Sequence, residues 1–144
     1  MGNDGLNLQR DFPMREEAGD YAGRQRVFVI TCHEGGLGLT VRATEEGREG
    51  TGYEFAAYSE TSPYSALGRV RDKMRRGLAT RHITGSPGDY QMTHDQLRGR
   101  ISSDRETGVF VVVDGVPLTM EDLAQILSTH EGWALDLRIV DALE

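Results

Sequence analysis

One amphipathic pattern limits most strongly how this chain can fold. Ser62 and Pro63 together are typical of a helix start, since serine caps the first turn and proline fits its first position. Apolar residues then follow at helical spacings of three, four and four: Leu67, Val70, Met74 and Leu78. The pattern predicts one helix from about Pro63 to Ala79 with a single buried stripe.

Short strands are predicted on both sides of this helix. Before it, the patterns indicate strands at residues 27–32, 37–44 and 53–59, joined as a meander. After it, weaker extended patterns cover residues 81–84 and 97–102, and the run 109–113 predicts a central strand that ends at the tight-turn pair Asp114-Gly115. Thr119 and Asp122 then form a capping box for a short helix to about residue 129. Residues 133–140 alternate in polarity and predict a last strand.

This order, βββα followed by ββ, α and β, predicts an α+β fold with a mainly antiparallel sheet of six or seven strands and two helices. A length of 144 residues favours one domain, which we expect over residues 25–144. Residues 1–24 show neither a strand nor a helix period, so they predict a flexible N-terminal arm, anchored at most by Phe12, Pro13 and Met14.

The same helix carries a dense cluster of the chain's positive charge. Residues 64–82 contain six basic side chains and one acid, a net charge of +5, whereas the whole chain is −7 and the remainder therefore −12. This asymmetry indicates a face for an anionic partner. The residues predicted to bind it are Arg69, Lys73, Arg76, Arg81 and His82, the first three of which share one helical face. An ordinary solvated face is the alternative explanation of such a charge run.

Two kinds of anionic partner fit these residues. An acidic protein surface, including the acid-rich remainder of a second copy, complements the basic helix. Nucleic acid or a nucleotide phosphate is the alternative, because arginine binds phosphate as well as carboxylate through its planar fork. The acidic balance of the whole chain favours the protein partner.

Catalytic and metal motifs are weak. A small enzyme would use Cys32 together with either His82 or His130 as a catalytic pair. Either pair requires the fold to bring the cysteine and the histidine together. The four histidines lack the paired spacing of a zinc site, and the glycine-rich turn after residue 32 lacks the context of a phosphate loop. We therefore expect no catalytic residue, no metal and no cofactor.

Composition indicates a cytoplasmic location. The single cysteine excludes an internal disulfide, the first residues contain no apolar run typical of a signal peptide, and no segment is apolar enough for a membrane span. Fifteen of the sixteen basic residues are arginine, a bias typical of a GC-rich bacterial genome.

The C-terminal half carries short motifs that resemble those of uncharacterised bacterial domains of unknown function. These motifs are a strand start, a tight turn, a helix start and a helix end: Gly99-Arg100-Ile101, Val113-Asp114-Gly115, Thr119 to Asp122 and Glu131-Gly132. The resemblance extends over roughly residues 27–140. It implies a stable module and no particular activity.

Overall fold

The computed structural model describes residues 11–144, and their contacts divide the chain into two compact units. Unit 1 contains the described residues up to Glu49, together with Glu54–Thr80 and Asp141–Glu144. Unit 2 contains Gly50–Tyr53 and Arg81–Val140. The assignment of residues 25–144 to one domain stays a prediction, and each unit is described by itself.

Unit 1 is an antiparallel meander with one helix. Its strands β1 to β4 pair in sequence order and precede the helix α1: Met14–Gly19, Gln25–Gly35, Gly38–Glu45, Glu54–Ser59 and Pro63–Ala79. The inward positions of the two central strands are closed to solvent, with Phe28, Ile30, Val41 and Ala43 all 0 % exposed. Each large side chain among them stabilises the fold by roughly 1.5–3 kcal/mol.

Helix α1 has the bounds and the stripe that its sequence predicts. The Ser62 hydroxyl accepts a hydrogen bond from the Tyr64 amide at 3.1 Å, and Pro63 occupies the first turn. Leu67, Val70, Met74 and Leu78 are all buried. Position 77, inside the helix, requires a glycine, because a Cβ there would be 2.6 Å from the Phe55 ring. The glycine thus lets α1 approach β4 closely.

Unit 2 contains two small antiparallel sheets and a short helix. The strands β5 and β6 are Ile83–Thr84 and Gln91–Met92, and β7, β8 and β9 are Arg100–Asp104, Gly108–Val113 and Val116–Leu118. Helix α2 is Met120–Ser128. A core cluster of four buried side chains joins β5, β8, β9 and α2: Ile83, Val113, Leu118 and Ile126.

Local turn and cap chemistry in unit 2 agrees with the sequence. Asp114 and Gly115 have φ angles of 55° and 74°, as a tight hairpin turn requires. A Cβ on Gly115 would also lie 2.7 Å from the Tyr53 ring. At the start of α2, Thr119 and Asp122 form both hydrogen bonds of the capping box, at 3.1 and 2.9 Å.

The α+β class with antiparallel pairing is confirmed, but the strands differ from the prediction in number and arrangement. Across residues 11–144 there are nine strands in three sheets, where the sequence predicts one sheet of six or seven. The additional strands β6 and β9 are only two and three residues long, too short for an alternation pattern to show.

Two sequence predictions fail at the ends of the chain. Residues 14–19, predicted as part of a flexible arm, form β1 and pair with β2, and Phe12 is only 6 % exposed. The rest of the predicted arm, residues 1–10, lies outside the described residues. The predicted last strand, residues 133–140, has an alternating pattern but no strand pairing among the described residues.

Candidate binding surface

The structure brings Arg69, Lys73 and Arg76 together on one face of α1. The Arg69 guanidinium donates to the Tyr58 carbonyl. The Lys73 ammonium donates to the carbonyls of Ala56 and Ala142, at 2.7 and 3.0 Å. Arg76 forms an ion pair with Asp72, one turn earlier, at 2.8 Å. The carbonyl contacts hold Arg69 and Lys73 against β4, whereas Arg76 pairs within α1.

The contacts leave positive charge on this face uncompensated. Carbonyl oxygens accept hydrogen bonds from Arg69 and Lys73 but carry no formal charge. Of the five cations on α1, Arg71 is paired with Glu16 at 3.0 Å, and Asp72 is shared between Arg75 and Arg76. The side chains of Arg75 and Arg76 are both more than 60 % exposed, and they share the single carboxylate of Asp72. The result is a preorganised basic surface.

The pKa of Lys73 reflects the positive charges that surround it on α1. Burial lowers the pKa of Lys73, and the neighbouring charges of Arg69 and Arg76 lower it further. Asp141 and Glu144 act in the opposite direction and raise the pKa. Thus residues 141–144, an acidic segment of unit 1, already lie against the basic face, with the Ala142 carbonyl bound to Lys73.

The other two predicted binding residues, Arg81 and His82, belong to unit 2. Arg81 donates through Nε to the Ile83 carbonyl at 3.0 Å. His82 Nδ1 lies 2.8 Å from a carboxylate oxygen of Asp114, whose side chain is 4 % exposed. The same carboxylate accepts from the amides of His82 and Ile83, at 2.7 and 2.9 Å. Asp114 therefore fixes the start of β5, and both basic residues have structural contacts. Their role in binding stays a prediction.

Unit 1 contains a buried triad of charged side chains that the sequence analysis does not predict. Arg26 donates to Asp20 and to Glu45, at 2.8 Å each, and its side chain is only 12 % exposed. Burial alone would raise the pKa of Asp20, but hydrogen bonds from Arg26 and from the amides of Arg24 and Ala22 lower it below its usual value. The triad joins the β1–β2 turn to the end of β3, so its role is structural.

A groove of about 570 Å³ lies between β1 and the second half of α1. Met74 and Leu78 line it with apolar surface, and Glu16, Asp20, Arg71 and Arg75 line it with charges. Each of those four charged groups already has an ion-pair partner. The face of α1 that carries Arg69, Lys73 and Arg76 is therefore the better candidate for an anionic partner.

The remaining candidate chemistry is sparse. Burial raises the pKa of the half-buried Cys32 thiol, and the nearby charge of Glu34 raises it further, so the thiolate is disfavoured. Within residues 11–144, no three His, Cys, Asp or Glu side chains are grouped to hold a metal ion. The same residues include no helix with the length and apolar character that a membrane crossing requires.

Two family models, both of domains of unknown function, match parts of the chain. Residues 10–79 match the model of one, DUF7686, and residues 82–144 match the model of another, DUF7713. Searches of curated proteins and of solved structures found no match. The resemblance to uncharacterised domains is thus confirmed, with two families where the sequence analysis expects one. The matches meet at residues 80–81, where unit 1 gives way to unit 2.

Proposed function

We propose that this protein is a non-enzymatic binding module, and that its basic helix with the following residues, 63–82, binds an acidic protein surface. The proposal includes a cytoplasmic location in a bacterium, which the single cysteine and the arginine bias support. Arg69, Lys73 and Arg76 of unit 1 form the centre of the binding surface, and Arg81 and His82, which belong to unit 2, contact the same partner in this proposal.

The contact between Lys73 and the segment 141–144 is the observation that carries the proposal. Burial and the neighbouring arginines lower the pKa of Lys73, and two acids of this segment, Asp141 and Glu144, lie near enough to oppose that lowering. The segment's Ala142 carbonyl accepts a hydrogen bond from the ammonium. An acidic stretch of polypeptide therefore fits this face of α1. A partner with more carboxylates would gain from the cations that these two acids do not neutralise.

Cationic side chains that are already fixed in position suit an acidic protein partner. Arg69 and Lys73 are restrained by carbonyls, so less side-chain freedom is lost when a carboxylate binds beside them. The protein's net charge of −7 disfavours the long polyanion of a nucleic acid more than a local acidic patch. An acidic protein surface is therefore the class of partner with the stronger support.

The direct test measures binding of fluorescently labelled polyglutamate, and of labelled single- and double-stranded DNA and RNA, at low and moderate salt. The test variant is the double change Arg69→Glu with Arg76→Glu. Its matched control is Arg98→Glu with Arg105→Glu, two exposed positions of unit 2, which changes the net charge equally. We expect salt-sensitive polyglutamate binding that the test variant weakens about tenfold and the control leaves nearly unchanged.

Two results would overturn the proposal. One is equal loss of polyglutamate binding in both double variants, which would mean that only net charge matters. The other is tighter binding of nucleic acid than of polyglutamate, with a salt slope that decreases in the Arg69 and Arg76 variant. That second result would make the same helix a phosphate-binding surface.

A further inference from the structure

The segment of residues 133–140 in unit 2 exposes an unusual amount of apolar surface. Trp133, Leu135, Leu137 and Ile139 are 73, 70, 77 and 74 % exposed. They occupy alternate positions, so in a strand all four would lie on one face. Val140, on the opposite face, is 64 % exposed. Single exposed apolar residues are ordinary, but four in strict alternation are typical of a surface suited to a partner.

The backbone of this segment is also open to a partner. The Trp133 amide donates to the His130 carbonyl at 2.9 Å, and from residue 134 to residue 140 no backbone hydrogen bond joins the segment to any other part of residues 11–144. A stretch with strand periodicity and unpaired amides and carbonyls is a template for pairing with another chain.

The charges of residues 133–140 are complementary to those of a second copy of the segment that runs antiparallel to the first. In an antiparallel pair of two copies centred on Leu137, Asp136 of each copy faces Arg138 of the other, and Leu135 faces Ile139. Within residues 11–144 neither Asp136 nor Arg138 forms an ion pair. The segment is therefore self-complementary in both charge and apolar pattern.

Other registers of the same pair are disfavoured. Centring the pair on residue 136 sets Asp136 against Asp136, and centring it on residue 138 sets Arg138 against Arg138, so like charges face each other. A shift by one residue places the apolar face of one copy on the polar face of the other. Among the registers centred on residues 136, 137 and 138, only the one centred on Leu137 satisfies both requirements, and it alone sets Asp136 opposite Arg138.

We propose that residues 133–140 pair with the same residues of a second copy as an antiparallel β-ribbon, and that this ribbon forms a symmetric dimer. The two-fold axis passes beside Leu137, and the interface is isologous. An isolated two-stranded ribbon is marginal in water, so its apolar face must pack on further surface. Unit 2 supplies candidates, since four more of its apolar side chains are about half exposed: Ile101, Val109, Met120 and Leu127.

The charge pair provides a test of both the dimer and its register. Asp136→Arg places arginines opposite arginines in a dimer of that variant, and Arg138→Asp places aspartates opposite aspartates. We expect sedimentation equilibrium to show a dimer of the wild-type protein and at least tenfold weaker dimerisation of each single variant. An equimolar mixture of the two variants restores opposite charges at both pairs, so we expect it to form a heterodimer of near wild-type affinity.

The controls separate this dimer from partner binding by α1. The variant with Arg69→Glu and Arg76→Glu is expected to dimerise like the wild-type protein, because α1 takes no part in the ribbon. Circular dichroism checks that each variant folds, which the exposed location of positions 136 and 138 favours. A wild-type protein that stays monomeric to about 100 μM would overturn the proposal. So would single variants that dimerise as tightly as the wild type, or a mixture that stays monomeric.

Discussion

Units 1 and 2 differ in how completely they cover their own apolar side chains. In unit 1 the inward residues of β2 and β3 are fully buried, and the apolar stripe of α1 lies over them. In unit 2 the buried cluster has four members, while Val109 on β8 and Leu127 on α2 remain about half exposed. The segment 133–140 adds four large apolar side chains that are at least 70 % exposed.

Helix length explains much of this difference. The 17 residues of α1 span about 25 Å, more than the roughly 15 Å width of a four-stranded sheet. The nine residues of α2 span only about 13 Å, and unit 2 has no second helix between residues 81 and 140. Unit 1 thus closes its core with its own elements, whereas unit 2 presents apolar surface suited to a partner.

The strongest test of this comparison introduces the same charge at a covered and at an uncovered apolar position. Val70→Asp buries an unpaired carboxylate where the side chain is 0 % exposed, so we expect a loss of more than about 4 kcal/mol in the free energy of unfolding. Leu137→Asp, at a position that is 77 % exposed, is expected to leave the urea midpoint of the dilute protein unchanged. Urea denaturation followed by circular dichroism measures both.

Each variant has a result that would contradict this difference between unit 1 and unit 2. A Val70→Asp protein with a cooperative transition near that of the wild type would show that α1 does not cover the sheet as described. A Leu137→Asp protein that is strongly destabilised even at low concentration would show that residues 133–140 are packed within a single copy. The exposed helix position Ser65, changed to Asp, controls for the effect of a new acid on α1.

A smaller effect is expected at the ion triad of unit 1. Asp20→Asn removes the charge opposite Arg26 but retains an oxygen for the amides of Ala22 and Arg24, so we expect a loss of about 2 kcal/mol near neutral pH. Urea denaturation of the wild type and the variant measures it. Asp95→Asn, in an exposed loop of unit 2, is the matched control and is expected to have little effect.

The pH dependence of this loss has a definite sign. The folded-state pKa of Asp20 lies below its unfolded value, so its contribution is fully present above about pH 4 and is lost as the pH falls through the folded-state pKa. The difference in stability between wild type and Asp20→Asn should therefore shrink in acid. A difference that stays constant down to pH 2 would contradict the role of the Asp20 charge.

The sequence predicts those parts of the fold whose signals are local. The cap at Ser62 and the stripe of α1 lie within one segment, and so do the tight turn at Asp114-Gly115 and the capping box at Thr119. Strand β1 is missed because its inward position 16 carries a glutamate, which Arg71 pairs from 55 residues away. Residues 133–140 show the reverse case, since strand periodicity is present but a partner strand is not described.

The candidate binding surface is predictable to a similar extent. Helical spacing alone places Arg69, Lys73 and Arg76 on one face of α1. The partners of Lys73 are backbone carbonyls of Ala56 and Ala142, which no residue type in the sequence identifies. The pairing of His82 with Asp114 joins positions 32 residues apart, just before β5 and just after β8, which no local pattern relates.

The smallest predicted effect concerns the cap of α2, the short helix of unit 2. Thr119→Ala removes the hydroxyl that accepts the Asp122 amide at 3.1 Å, so we expect a loss of about 1 kcal/mol in the free energy of unfolding. Thr107→Ala, in the exposed β7–β8 turn, is the matched control, and thermal denaturation compares the two. If Thr119→Ala costs much more than this, α2 is the element that keeps unit 2 folded, and the core of unit 2 depends on it more than the one buried residue of α2, Ile126, indicates.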